Sequence, residues 1–250
     1  MTGISHARDG EPCQDAFCVL QVANISAAAL CDGAGSASHS KLGAEATSDL
    51  VVAQLVSNFD EFWCSPEANA AKLITTIRER LSALAKNEDV PIKHLACTLA
   101  FCAAQLHRSQ VRFVCGNLGD GIVLMRQAEN LEILLQAENQ EFANQTWFVT
   151  STDATERLRI QTGTVSVEQV PGWLLTTDGA ASMLYSKRNK RFAPAVMSLL
   201  EDLRVNKVGN VKRVLQSVLR DSLAPRTHDD CTIALLQVDS RTRRVQRRAS

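Results

Sequence analysis

Three apolar runs in this chain end on the same dipeptide: AAALC leads into Asp32-Gly33, CGNLG into Asp120-Gly121, and GWLLTT into Asp178-Gly179. Asp-Gly is the commonest short hairpin signal, so each one taken alone reads as a turn. The repetition is what constrains the fold. Each run has the length of a strand, so several strands must leave the core at a carboxylate. A carboxylate at such a point is held rigidly while its oxygens reach solvent. Several of them gathered at one edge form an oxygen-only site suited to Mg2+ or Mn2+. Two further acids adjoin apolar runs, Asp15 in QDA and Asp229 in HDDCT, the latter beside Asp230.

Apolar and β-branched runs predict strands at about 16–22, 25–31, 95–104, 111–118, 121–126, 131–135, 165–170, 173–177 and 231–238. Helical periodicity covers about 40–58, 67–87, 179–185, 194–204 and 209–223. Strands in runs, with helices grouped in pairs, predict an α+β fold of mostly antiparallel sheets rather than βαβ alternation. No Pro/Gly/Ser-rich linker divides the 250 residues, so one domain over 1–239 is expected. The polar stretch 127–172, between two of the Asp-Gly ends, is expected to form a loop-rich, flap-like subdomain over the site. The segment 240–250 carries five arginines and no acid, the composition of a disordered basic tail.

Lys+Arg and Asp+Glu both number 27, so no global field attracts nucleic acid or an anionic membrane. The apolar runs fall far short of the roughly 20 residues a membrane span needs. The opening MTGISHARDG has no signal-peptide core, which predicts a cytoplasmic protein. Eight cysteines contain no CxxC pair and sit mostly in apolar runs, the pattern of buried core thiols rather than ligands or disulfides.

In order along the chain, QDA, CDGAGSASHSKLGAEA, ACT, GDG, TTDGA and DDCT resemble the motifs of the metal-dependent serine/threonine protein phosphatases, the PPM or type 2C family. The resemblance runs from about residue 3 to 238, and GISHARDGEPCQDA with ENQEFANQTWFVT looks closest to a bacterial branch. It implies a four-layer α-β-β-α sandwich, two central antiparallel sheets flanked by helix pairs, with metals at one end. Carried over by motif position, Asp32 bridges two divalent ions, Mg2+ or Mn2+, and the Gly33 carbonyl ligates one of them. Asp178 and Asp229 complete the second ion's shell. Asp15 acts through bound water, and Asp120 helps hold a third, weaker ion. Thr98 in ACT matches a position near the metals.

The implied activity is hydrolysis of phosphoserine and phosphothreonine by direct attack of a metal-bridged water, opposite a partner Ser/Thr kinase in a bacterial signalling system. Asp32 and Asp178 then serve catalysis as well as metal binding. The chain departs from the family at three points. The phosphate-clamping Arg five residues before the first Asp is Gly10, which makes Arg8 the nearest substitute. The general-acid His after Asp-Gly is Ala34, which nominates His6 or His39. The family's usual Asn after the last metal Asp is Asp230. His228 is expected to play a loop or supporting role rather than to ligate. These departures keep two alternatives open, a phosphatase of small phosphorylated metabolites or nucleotides and a weakly active or inactive phosphoprotein-binding scaffold. The retained acids oppose the scaffold, since their mutual repulsion costs stability without cations.

Overall fold

The computed structural model describes residues 1–137 and 146–238, so the basic tail expected at 240–250 lies outside the described residues. A short helix α1 (Ile4–Asp9) precedes the hairpin β1 (Ala16–Val22) and β2 (Ile25–Cys31). Helices α2 (Ser40–Ser57), α3 (Phe59–Cys64) and α4 (Pro66–Asn87) come next. The strands β3 (Leu99–His107), β4 (Gln110–Leu118), β5 (Ile122–Gln127) and β6 (Asn130–Gln136) then follow one another with no helix between them. After it come α5 (Ala154–Arg157), β7 (Arg159–Ser166), β8 (Gly172–Thr176) and α6 (Asp178–Leu184). A small hairpin of β9 (Tyr185–Ser186) and β10 (Arg191–Phe192), then α7 (Pro194–Val205), α8 (Val208–Ser217) and β11 (Ile233–Gln237), complete the order.

Two antiparallel sheets form, one in the order β1-β2-β3-β4-β7 and the other β11-β8-β5-β6. Because strand side chains alternate faces, each central strand feeds two apolar layers. Ala27, Ala29 and Cys31 of β2 pack with Val51, Leu55 and Ile77 of the α2/α4 layer, while Ala28 and Leu30 face the second sheet. In β3, Leu99, Phe101 and Ala103 divide from Ala100, Cys102 and Ala104 in the same way. Trp173 and Leu175 of β8 join the inter-sheet layer, and Leu174 packs against Val196 and Leu200 of α7. The result is the expected α-β-β-α sandwich, with both faces of each central strand buried, which is why these runs read as continuously apolar.

The eight cysteines are free thiols, and five of them, Cys31, Cys97, Cys102, Cys115 and Cys231, are buried. The stretch 127–172 supplies β6 to one sheet and β7 to the other. Its residues 138–145 lie outside the described residues. The strand predicted at 165–170 begins earlier, at Arg159, because the polar run RIQTGTVS is a half-exposed edge strand paired only with β4. Among the described residues, no helix is long and apolar enough to cross a membrane.

Candidate active site

Each of the five acids stands where a strand enters or leaves a sheet. Asp15 directly precedes β1 and Asp32 directly follows β2. Asp120 lies in the turn that carries the chain from β4 in one sheet to β5 in the other. Asp178 begins α6 just after β8, and Asp229 sits in the approach to β11. Both sheets therefore deliver carboxylates to the same end of the sandwich. There Asp32, Asp120, Asp178 and Asp229 line a cleft of about 350 Å³. One oxygen from each of Asp32, Asp120 and Asp178 lies within 4.8 Å of the others.

The backbone closes tightly around this end. Asp32 N–H donates to Thr98 Oγ1 (3.0 Å), and Thr98 N–H donates to the Asp32 carbonyl (2.8 Å). Gly33 bridges Cys97 as an isolated ladder pair, so the Asp32-Gly33 turn is tied to the start of β3. Thr177 Oγ1 donates to Asp15 Oδ2 (2.9 Å), and Thr146 Oγ1 donates to Asp120 Oδ2 (2.7 Å). On the far wall, residues 1–5 run beside 227–231. Ile4 N–H reaches the Thr227 carbonyl (3.1 Å), Ser5 N–H reaches that of His228 (3.2 Å), and Cys231 N–H reaches that of Met1 (2.9 Å). Gly3 permits this approach, since a Cβ there would stand 2.2 Å from the Asp229 carbonyl oxygen.

Several acid oxygens have no protein partner. Asp15 Oδ1, Asp120 Oδ1 and Asp178 Oδ1 are buried and accept no hydrogen bond among the described residues. Buried carboxylate oxygens without a donor are costly, and the expected remedy is a cation. Among the described residues, the cleft lining includes no lysine or arginine to supply that charge. An oxygen-only set with orphaned oxygens fits hard divalent ions such as Mg2+ or Mn2+.

The crowding shows in the acidities. Burial first, and then the charges of Asp15, Asp178, Asp229 and Asp120, push Asp32 up to about 11. Burial likewise raises Asp15 to about 6 against the bonds it accepts from Thr232 and Thr177. Burial and the charges of Asp120 and Asp229 lift Asp178 to about 6. Asp230 goes the other way. Burial works to raise it, but the N–H groups of Gly3 and Gln14 and the His6 ring hold it below the usual carboxylate range. The His6 pKa is raised, because Asp230 and the charges of Asp229 and Glu11 outweigh the lowering effect of burial.

The structure brings Asp32, Gly33, Asp120, Asp178, Asp229 and His6 to one cleft, with Asp15 bonded immediately behind it. Asp120, assigned by resemblance to a weaker ion, falls in the same 4.8 Å grouping as Asp32 and Asp178. His228 also lines the cleft. Arg8 does not reach it: its guanidinium pairs with Asp9 (2.9 Å) and its side chain is 76% exposed. His39 is bound to Ser38 Oγ (2.8 Å), which also contacts His94, outside the cleft lining. Residue types alone did not single out Thr146, Thr177, Phe148 or the buried Asp230. Of these, only the acid doublet at 229–230 offered a signal.

A two-sheet sandwich presenting a cluster of acids at one end defines a class of protein built to hold divalent cations over a cleft. A family model described as "Protein phosphatase 2C" matches residues 2–223, and the chain belongs to that family. The Escherichia coli (strain K12) protein Serine/threonine-protein phosphatase 3 is 28% identical over 246 residues, covering 93% of this chain and 94% of its own. Among solved structures, the serine/threonine phosphatase Stp1 from Staphylococcus aureus shares the fold at a TM-score of 0.57 and 16% identity, covering 95% of this chain and 92% of that one. RsbX, solved in complex with magnesium, does so at 0.54 and 16%, covering 92% and 89%.

Proposed function

We propose that this chain is a metal-dependent phosphatase that hydrolyses phosphoserine and phosphothreonine in proteins, opposite a cognate Ser/Thr kinase in the cytoplasm. The observation that carries the reading is the convergence of Asp32, Asp120 and Asp178 oxygens within 4.8 Å in a cleft lined by no described lysine or arginine. The names of the E. coli and S. aureus relatives support the protein substrate. Eight free thiols support a reducing compartment.

Asp32, Gly33, Asp178 and Asp229 would hold two divalent cations, Mg2+ or Mn2+, with Asp15 supporting Asp32 from behind and Asp120 holding a third. Such ions supply the positive charge that offsets the phosphoryl oxygens and bring a water's pKa toward neutrality. The protein's own groups do the rest. The Thr98 and Thr177 hydroxyls fix the acids before substrate arrives, so no reorganisation is needed during the reaction. Phe148 walls the cleft and limits solvent beside it. As the water oxygen bonds to phosphorus, the ester P–O bond breaks, and His6 gives its proton to the departing serine or threonine oxygen. Arg8 has no part in this geometry, since it faces Asp9 on the exposed side of α1.

The test is hydrolysis of p-nitrophenyl phosphate and of a phosphoserine peptide with Mn2+. Wild type turns over both, excess chelator abolishes turnover, and Asp32→Ala reduces kcat at least about a hundredfold. Undiminished turnover in chelator would refute the proposed chemistry, and hydrolysis of small phosphates without any of the peptide would refute the substrate class.

A further inference from the structure

The two sheets do not match in width. Among the described residues the first has five strands and the second four. β6 lies over β4 and β7, β5 over β4 and β3, β8 over β3, and β11 over β2, which leaves the place over β1 without a strand. Phe17 and Val19 pair across the hairpin with Leu30 and Ala28, whose side chains fill the inter-sheet layer, so they point into that place. There they are 60% and 57% exposed. One wall of this slot is the outer edge of β11, and at its mouth the backbone of Met1 pairs with Cys231 in both directions (2.9 Å each). The outer edge of β1 is open as well. Sheet edges are normally blunted by charge, proline or a bulge. β7 carries Arg159, and β6 carries Glu132 and pairs through a register shift. β1 reads AFCVLQV, without a charge or a proline, and pairs with β2 in unbroken register over all seven residues.

We propose that this step is a dimerisation surface for a second copy of the chain, in which each β1 enters the slot of the other. The inference goes beyond the phosphatase reading and does not depend on it. The step itself selects the occupant. A strand lying in the slot must be bare on the face it turns to Phe17 and Val19. β11 of a second copy is not, since it is packed on its own β2. β1 of a second copy is, and it brings no charge into an apolar place. Residues 240–250, with five arginines and no acid, are poorly suited to it for the same reason. Two steps of this shape interlock by a two-fold rotation about an axis parallel to the strands. Each β1 then lies beside the other copy's β11, Phe17 and Val19 meet their own symmetry mates, and the four-stranded sheet of one copy runs on into the five-stranded sheet of the other. β1 and β11 both leave the acid-bearing end, one after Asp15 and the other after Asp229, so the new strand pair is parallel and both clefts open at the same end. At 3.3 Å per residue β1 is about 23 Å long, and a contour of about 25 Å, one strand spacing between two sheet thicknesses, gives roughly 1,100 Å2 in total, above the roughly 1,000 Å2 expected of a specific interface.

Because Val19 faces its own symmetry mate, charge tests the arrangement. Sedimentation equilibrium of the wild type at about 100 µM should give a mass near twice 27.3 kDa, falling toward 27.3 kDa on dilution. Val19→Lys and Val19→Glu should each be monomeric, since like charges then meet across the axis, while an equimolar mixture of the two should regain the doubled mass. Val208→Lys, at a residue of α8 that is 73% exposed and outside the step, should leave the dimer intact. Circular dichroism reads the fold of each variant. If either Val19 variant does not fold, Phe17→Ser takes its place and should weaken association at least about tenfold. A wild type of monomer mass at about 100 µM overturns the proposal, whether residues 240–250 or an extended segment of another protein then occupies the slot. A dimer that survives both Val19 substitutions or Phe17→Ser, a mixture that stays monomeric, or a dimer lost equally in Val208→Lys overturns it too.

Discussion

Burial together with the charges of Asp120 and Asp229 pushes the Asp178 carboxyl up to about 6, against an ordinary 3.8. A carboxyl raised on folding holds its proton more tightly in the folded chain. Its stabilisation is therefore fully present below 3.8 and is lost as pH rises through about 6. Without cations, then, Asp178 weakens the fold at neutral pH. Asp178→Asn carries no charge at any pH, so in chelator at pH 7.5 it should be more stable than wild type by roughly 1–3 kcal/mol. The gap should shrink by pH 4.5, and thermal melts at the two pH values check it; a variant less stable than wild type at pH 7.5 would contradict the assignment. Asp32, Asp120 and Asp178 were legible in the sequence because an acid closing an apolar run is conspicuous. The hydroxyls of Thr146 and Thr177 were not, since threonine is also an ordinary strand residue. Nothing local distinguishes Asp229 from Asp230. The difference is made by Gly3 and Gln14, 227 and 216 positions away from Asp230 in the chain. Arg8 misled for a geometric reason: two positions along α1 from His6 is about 200° around a helix, the opposite face.

Helix α6 starts at Asp178 and must press its first turn against the approach to β11, and Gly179 makes that possible. A Cβ at 179 would sit 2.1 Å from the Asp230 carbonyl oxygen and 3.3 Å from Asp229 Cβ. Gly179→Ala should therefore cost roughly 1–3 kcal/mol, read as a lower urea midpoint at unchanged m-value. It should also weaken Mn2+ binding in a calorimetric titration, because it pushes Asp178 away from Asp229. The contrasting change is Gly209→Ala in α8, where a Cβ meets nothing within 4 Å. That substitution should stabilise the protein by roughly 0.5–1 kcal/mol, since it removes only unfolded-state freedom. A fall in midpoint at 209 as large as that at 179 would mean that glycine content rather than the close approach sets the effect. Element by element, β1, β2 and β8 were read to within a residue of their ends, whether at an edge or in the middle of a sheet. β7 and α1 were not. β7 is polar because it is an edge, and α1 is six residues long with no buried face to give a period.

The two sheets of the sandwich share no strand, and the acids are divided between them. Asp15 and Asp32 belong to the β1–β2 hairpin, Asp178 and Asp229 flank β8 and β11, and Asp120 sits where the chain crosses from one sheet to the other. Without cations, their repulsion opposes closure of this end. Cations shared among them would replace that repulsion with a tie between the sheets, so metal affinity and global stability are one linked quantity. At a free Mn2+ concentration 100 times its Kd, a single site adds about 2.7 kcal/mol. For a chain of this size that is a rise in Tm of roughly 5–10 °C. Chelator should reverse the rise fully. Asp32→Asn, which removes the acid that all the others face, should melt above wild type in chelator and yet gain little from Mn2+. The two proteins should thus exchange rank as the metal is added. Such a crossing requires the same carboxylate to be a liability when empty and a ligand when filled. Parallel melting curves at every Mn2+ concentration would show that Asp32 does not bind the ion.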